Sequence, residues 1–165
     1  ESVALDTVAP DTPDVESYTR DHTGLRGITL ETGEGDVAIS HVTDESGAVI
    51  ESVDYDAYDI AVLGETAYSF KDVVPDGSHL VVTATDDAGN LSGTYLVVDD
   101  TTTSEVTMTG QLANALSEFN IETIDLQFAE ESALTITEAQ IDDICTILRA
   151  AIERATQDRR AEALA

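Results

Sequence analysis

At 165 residues the chain holds one domain or one and a half, and its 42% hydrophobic content suffices for an ordinary core. Its 34 acids against 7 bases leave a formal net charge of −27. That excess excludes binding through nucleic-acid phosphates, which needs Lys and Arg, and opposes docking on an anionic membrane surface.

No apolar run approaches the ~18–20 residues of a membrane helix, and no signal-peptide pattern opens the chain. The first residue is Glu1, so a piece of a longer protein is expected. The single cysteine, Cys145, cannot form an internal disulfide. That fits the cytosol, or a bacterial secreted protein exported without oxidative folding. The charge is unevenly spread. Residues 1–148 carry 31 acids against 3 bases (Arg20, Arg26 and Lys71), whereas residues 149–165 carry 3 acids against 4 bases (Arg149, Arg154, Arg159 and Arg160).

In chain order, the Val/Ile/Thr/Tyr-rich runs predict strands at Val15–Tyr18, Gly27–Leu30, Val37–Val42, Ala48–Val53, Ala67–Phe70, Leu80–Thr85 and Thr94–Val98. Gly/Asp/Asn clusters separate them, among them Glu34-Gly35-Asp36, Asp44–Gly47, Pro75-Asp76-Gly77 and Asp86–Asn90. Seven short strands in about 100 residues is the count of an Ig-like β-sandwich. Alternation places Leu80, Val82 and Ala84 on the core face, with Val81, Thr83 and Thr85 on the other. The run after the Asp86–Asn90 turn is the hairpin partner, and the two are expected to be the sandwich's last strands.

Beyond Ser104, Val106–Thr109 and Ile121–Phe128 read as strands around a short helix, Gln111–Phe119, with Leu112, Leu116 and Phe119 apolar. Thr137 and Gln140 form a capping box. Ile141, Ile144, Cys145, Leu148, Ile152 and Ala155 then follow at helical spacing, which predicts an amphipathic helix over 138–161. Its Ile141/Ile144/Leu148/Ile152 face is expected to dock within the chain or against a second copy. The expected organisation is a mainly β chain: an Ig-like antiparallel β-sandwich over 1–103, then a small α/β module over 104–165.

Catalytic constellations are absent. His22, His41 and His79 are scattered and match no metal-ligand spacing; His79, at a strand start, reads as a surface or edge residue. There is no Gly-x-Ser-x-Gly elbow, phosphate loop or His-Glu-x-x-His helix, so no enzyme is expected. Cys145 lies on the apolar stripe and reads as a small buried hydrophobe. A sugar-binding module needs an aromatic platform, and Trp is absent. Tyr55 and Tyr58, flanking the acidic strip Asp54–Asp59, are the candidates. The plain alternative is that one packs and the other lies on the surface.

Three stretches carry a resemblance: Leu5–Pro13, Asp76–Leu80 through Thr83–Ser92, and Val98–Thr102. They resemble the linkers, penultimate strand and last hairpin of bacterial Ig-like repeats, which are stacked in large type I-secreted, RTX-type biofilm adhesins. Asn120–Leu126 and Leu134–Ile141 resemble a short module of such adhesins, although the Arg-bearing helix after Ile141 departs from that pattern. Asp6-Thr7 and Asp100-Thr101 lie 94 residues apart, the length of one Ig-like unit. The resemblance implies a structural extender at the bacterial cell surface, with neighbouring repeats as partners and calcium between them. In a sandwich of this topology the last hairpin lies beside the incoming linker. The implied calcium ligands are therefore Asp6, Asp86, Asp87 and Asn90 at one pole, with Asp99 and Asp100 at the other. Two other readings stand beside it: a carbohydrate- or surface-binding module on the same fold, and an intracellular acidic domain of a salt-adapted organism.

Overall fold

The computed structural model describes residues 6–33, 35–44, 48–98, 105–107, 109–129 and 133–135. Among them the elements run β1 (Val15–Asp21), β2 (Gly24–Glu31), β3 (Asp36–Asp44), β4 (Val49–Ser52), β5 (Tyr55–Ile60), β6 (Glu65–Pro75), β7 (Leu80–Thr85), β8 (Leu91–Val98), β9 (Glu105–Thr107), α1 (Gly110–Ser117), β10 (Ile121–Phe128) and β11 (Ala133–Thr135). One sheet has the order β1-β2-β6-β5 and a second the order β10-β8-β7-β3-β4. β9 and β11 pair separately, in parallel.

The two sheets share one apolar core. Leu25, Ile28 and Leu30 of β2 and Tyr68, Phe70 and Val74 of β6 meet Ile39, Leu80, Val82, Leu96 and Val98 of the second sheet. A bulge between Leu25 and Gly27 resets the alternation, so that Leu25 and Ile28 both reach this core. Each such side chain contributes ~1.5–3 kcal/mol when fully buried.

The second sheet is covered on its other side as well. Val42, Val81, Tyr95 and Val97 pack under Leu112, Ala113 and Leu116 of α1 and Ile121 of β10. Thr109 caps the helix by accepting a hydrogen bond from the Leu112 N–H at 3.1 Å. At Gly93 the turn after α1 comes so close that a Cβ would stand 2.6 Å from the Phe119 carbonyl oxygen, so no larger residue fits there. Hence β7 and β8 are buried on both faces, not on the Leu80/Val82/Ala84 face alone.

The hairpin β7–β8 does not end the sheet either. β10 pairs with the free edge of β8 in parallel, Ile121 opposite Gly93 and Phe128 opposite Val98. Its Phe128 ring meets Tyr18 of β1 edge-on at 5.0 Å. Residues on both sides of the expected 103/104 division therefore share a sheet and a core.

The acidic strip expected around Tyr55 and Tyr58 is itself a strand, β5. It lies at an edge of its sheet with most of its residues exposed, and there aspartates cost little and guard against edge-to-edge pairing. His79 is buried, at 5% exposure, rather than at the surface. Its Nδ1 accepts the Val98 N–H at 3.1 Å and its ring meets Tyr95 edge-on, so that it closes the end of β8. The helix expected over 138–161 and Cys145 lie outside the described residues. Among those residues no helix is long and apolar enough to cross a membrane.

Candidate functional site

The last hairpin is shaped by one carboxylate. Asp86 Oδ1 accepts the N–H groups of Ala88 and Asn90, each at 2.8 Å, while Gly89 takes the left-handed backbone at φ 86°. The Asn90 side-chain amide donates to Asp86 Oδ2 at 2.7 Å. That bond, with the backbone donors, holds the Asp86 carboxyl below the usual carboxylate range against the opposing desolvation.

The incoming segment is tied to the same hairpin. Asn90 Nδ2 also donates to the carbonyl oxygens of Val8 at 3.0 Å and Asp6 at 3.3 Å. Further along β8, Ser92 Oγ donates to the Asp11 carbonyl at 3.1 Å and Thr94 Oγ1 to that of Pro13 at 2.6 Å. Alternate residues 90, 92 and 94 thus form a polar row above Leu96 and Val98, which continue it into the core. Pro10 and Pro13 have no N–H to give a ladder, so this segment is held by its carbonyls. Asp6 caps its own turn, its Oδ1 accepting the Val8 N–H at 3.1 Å.

The structure therefore brings Asp6, Asp86 and Asn90 together, over more than 80 residues of sequence. Asp87 is exposed in the turn and outside this set of bonds. Asp99 and Asp100 lie outside the described residues. Three oxygens, the Asp6 and Val8 carbonyls and Asp86 Oδ2, converge on Asn90 Nδ2, a polarised nitrogen standing where a cation would be drawn. The donor set is oxygen-rich, as calcium requires. It is also closed by hydrogen bonds alone, so an ion here would displace the amide.

A second acidic group stands at this pole and was not foreseen. The carboxylates of Asp14, Glu16 and Glu31 come within 4.8 Å of one another, all exposed. Asp14 and Glu16 flank the buried Val15 on one face of the strand, and Val15 pairs with Leu30, which brings Glu31 alongside. Only that register reveals the group. The described bases are engaged elsewhere: Arg20 with Asp76, Arg26 with Asp21, Lys71 with Asp56.

Tyr55 and Tyr58 form no joint platform. Three residues apart on a strand, they point to opposite faces. Tyr55 turns inward, donates its hydroxyl to the Val37 carbonyl and meets Tyr68 edge-on at 5.1 Å; Tyr58 is exposed. His41 is half-buried, its Nε2 3.9 Å from Glu51; burial lowers its pKa, against the opposing pull of that carboxylate. The chain matches no family model, no curated protein and no solved structure.

Proposed function

We propose that this chain is a structural extender: an Ig-like unit, followed by a small module, in a secreted bacterial surface adhesin whose joints calcium stiffens. The strand orders β1-β2-β6-β5 and β10-β8-β7-β3-β4 support the Ig-like reading, matching an Ig sandwich to which two strands are added, β4 beside β3 and β10 beside β8. The observation that carries the function is the tie between the incoming segment and the last hairpin through Asn90. A spacer transmits orientation only if the chain entering it is fixed to its body. No catalytic role is part of this reading. The function would be exercised outside the cell, supporting attachment and biofilm formation.

Asp6 and Asp86 would hold the ion at this pole, joined by Asn90 through its Oδ1 once the ion has displaced its amide nitrogen, with Asp87 beside them, and Asp99 and Asp100 would do so at the other. Calcium would neutralise carboxylates that otherwise repel a neighbouring acidic unit. Bound at 100 times its dissociation constant it adds ~2.7 kcal/mol to stability. Millimolar calcium should therefore raise the melting temperature, and Asp86→Ala with Asp87→Ala should remove much of the rise. Asn90→Asp is the sharper variant. It exchanges the amide donor for a carboxylate facing three oxygens, so it should melt below wild type in chelator and recover in calcium. An unchanged melt together with calorimetry showing no calcium heat would leave the acids as solvation alone.

A further inference from the structure

The incoming segment and the strand it leads into are held by different kinds of contact. Val15, the first residue of β1, is fully buried, and β1 is laddered to β2 from there to Asp21. Residues 6–14 belong to no strand, and none of them is buried. They are fastened by side-chain donors instead: Asn90 on the Asp6 and Val8 carbonyls, Ser92 on that of Asp11, Thr94 on that of Pro13. Only at their end does a backbone bond join in, from the Glu31 N–H to the Asp14 carbonyl at 3.1 Å. The segment is also undercut. A cavity of about 380 Å³ opens between it and β10, with Thr12, Thr123 and Asp125 in its lining, and one of about 160 Å³ opens on its other side, against Leu30, Val37 and Ala84. Lifting residues 6–14 hands their donors and carbonyls to water, which offsets most of each bond lost. Lifting β1 as well would expose Val15 and break a ladder.

The segment is slack as well as lightly held. Its carbonyls meet residues 90, 92 and 94 in the same order along both pieces of chain, so it runs parallel to β8, from the hairpin into the body. Residues 6–13 are matched there to residues 90–94 alone, over which a strand advances ~13 Å, whereas 6–13 drawn taut reach ~25 Å. We infer that residues 6–14 are a tension-released clasp. Pull on the preceding chain frees them from the Asn90/Ser92/Thr94 row while Val15 and the sandwich stay in place, and the chain lengthens by on the order of 10 Å. The inference rests on the extender reading for its load, because a unit in series carries tension, and it asks of the chain before Asp6 only that it pulls. The donors remain in register on β8, so the clasp re-forms when the pull stops and a sudden load is absorbed without unfolding.

The test pulls on the full chain in an optical trap. One handle is attached at the N-terminus and the other at a cysteine replacing His22, exposed in the β1–β2 turn at the opposite pole, with Cys145→Ser leaving a single thiol. A short, reversible lengthening should precede the larger step in which β1 leaves its sheet. Ser92→Ala with Thr94→Val should shift the balance between closed and open at a given force about tenfold or more toward open, and leave the force of the β1 step unchanged. Asn90→Ala, at the mouth of the row, should act in the same direction and serves where the buried pair does not fold. A single step in which the segment and β1 part together would overturn the clasp, as would an early step that none of these substitutions moves. Calcium separates this outcome from the reading beneath it. An early step that answers to the substitutions but not to millimolar calcium would uphold the clasp and count against the calcium joint. A melt raised by calcium in a chain with no early step would overturn the clasp alone.

Discussion

β8 binds two distant pieces of the chain by opposite means. On its outer face Tyr95 and Val97 are sealed under Leu112, Ala113 and Leu116 of the helix that follows. On its inner face, toward the chain entry, Asn90, Ser92 and Thr94 hold the preceding segment by hydrogen bonds to carbonyls. Apolar burial is strong, non-directional and indifferent to pH. Side-chain hydrogen bonds near solvent are weaker, since water competes for the same groups, but they fix geometry. One strand thus carries both a permanent attachment and an adjustable one, and the adjustable one sits where a neighbouring unit would join.

Removing apolar atoms under the helix is the harshest way to break this contrast. Leu112 and Leu116 are 0% and 2% exposed, so Leu112→Ala or Leu116→Ala should cost about 2–5 kcal/mol in denaturant unfolding. Ser69→Ala, on the bare outer face of the other sheet, should stay within about 0.5 kcal/mol. Equal losses at the two sites would mean that the helix does not seal the sheet.

His79 sharpens the comparison, because it is a polar tie placed where water is excluded. His79→Leu keeps much of the volume but strips the buried Val98 N–H of its acceptor. An unsatisfied buried donor costs about 1–3 kcal/mol, which a chemical melt resolves, and amide exchange at Val98 should accelerate. A neutral result would show that water reaches the end of β8.

The sequence was most legible where one local rule acted alone. Leu80–Thr85 shows its bounds because β-branched residues run unbroken between turn formers, and the Asp-Asp-Ala-Gly-Asn turn declares its hairpin. Sandwich topology then put Asp6 beside Asn90 without further information. Where two rules competed, reading failed. Tyr55–Ile60 is a strand despite its aspartates, because its pairing with β6 outweighs a weak propensity. His79 looked superficial because alternation says nothing of a strand covered on both faces. The Asp14/Glu16/Glu31 group depends on strand register, which no local pattern encodes. That Asn90 donates its amide nitrogen to Asp86 and to the incoming carbonyls is equally a matter of tertiary placement, which its position in a turn sequence does not encode.

The smallest expected effect is the pH response of the adjustable attachment. Asp86 is held below the usual carboxylate range, first by the Asn90 side chain and then by the backbone N–H groups of Asn90, Ala88 and Gly89. A carboxyl depressed in the folded state contributes stability that is complete above its unfolded pKa of ~3.9 and is lost as pH falls through the folded value. Wild type should therefore exceed Asp86→Asn by a constant margin above about pH 5, and the margin should shrink below about pH 4. Asp21 is depressed too, by Thr23 and Arg26 in the β1–β2 turn at the opposite pole. It is unchanged in both proteins, so the difference between their curves isolates Asp86. Curves that stay parallel down to pH 3 would mean that the hairpin's bonds favour the carboxylate no more than water does, and the attachment at Asn90 would owe nothing to charge.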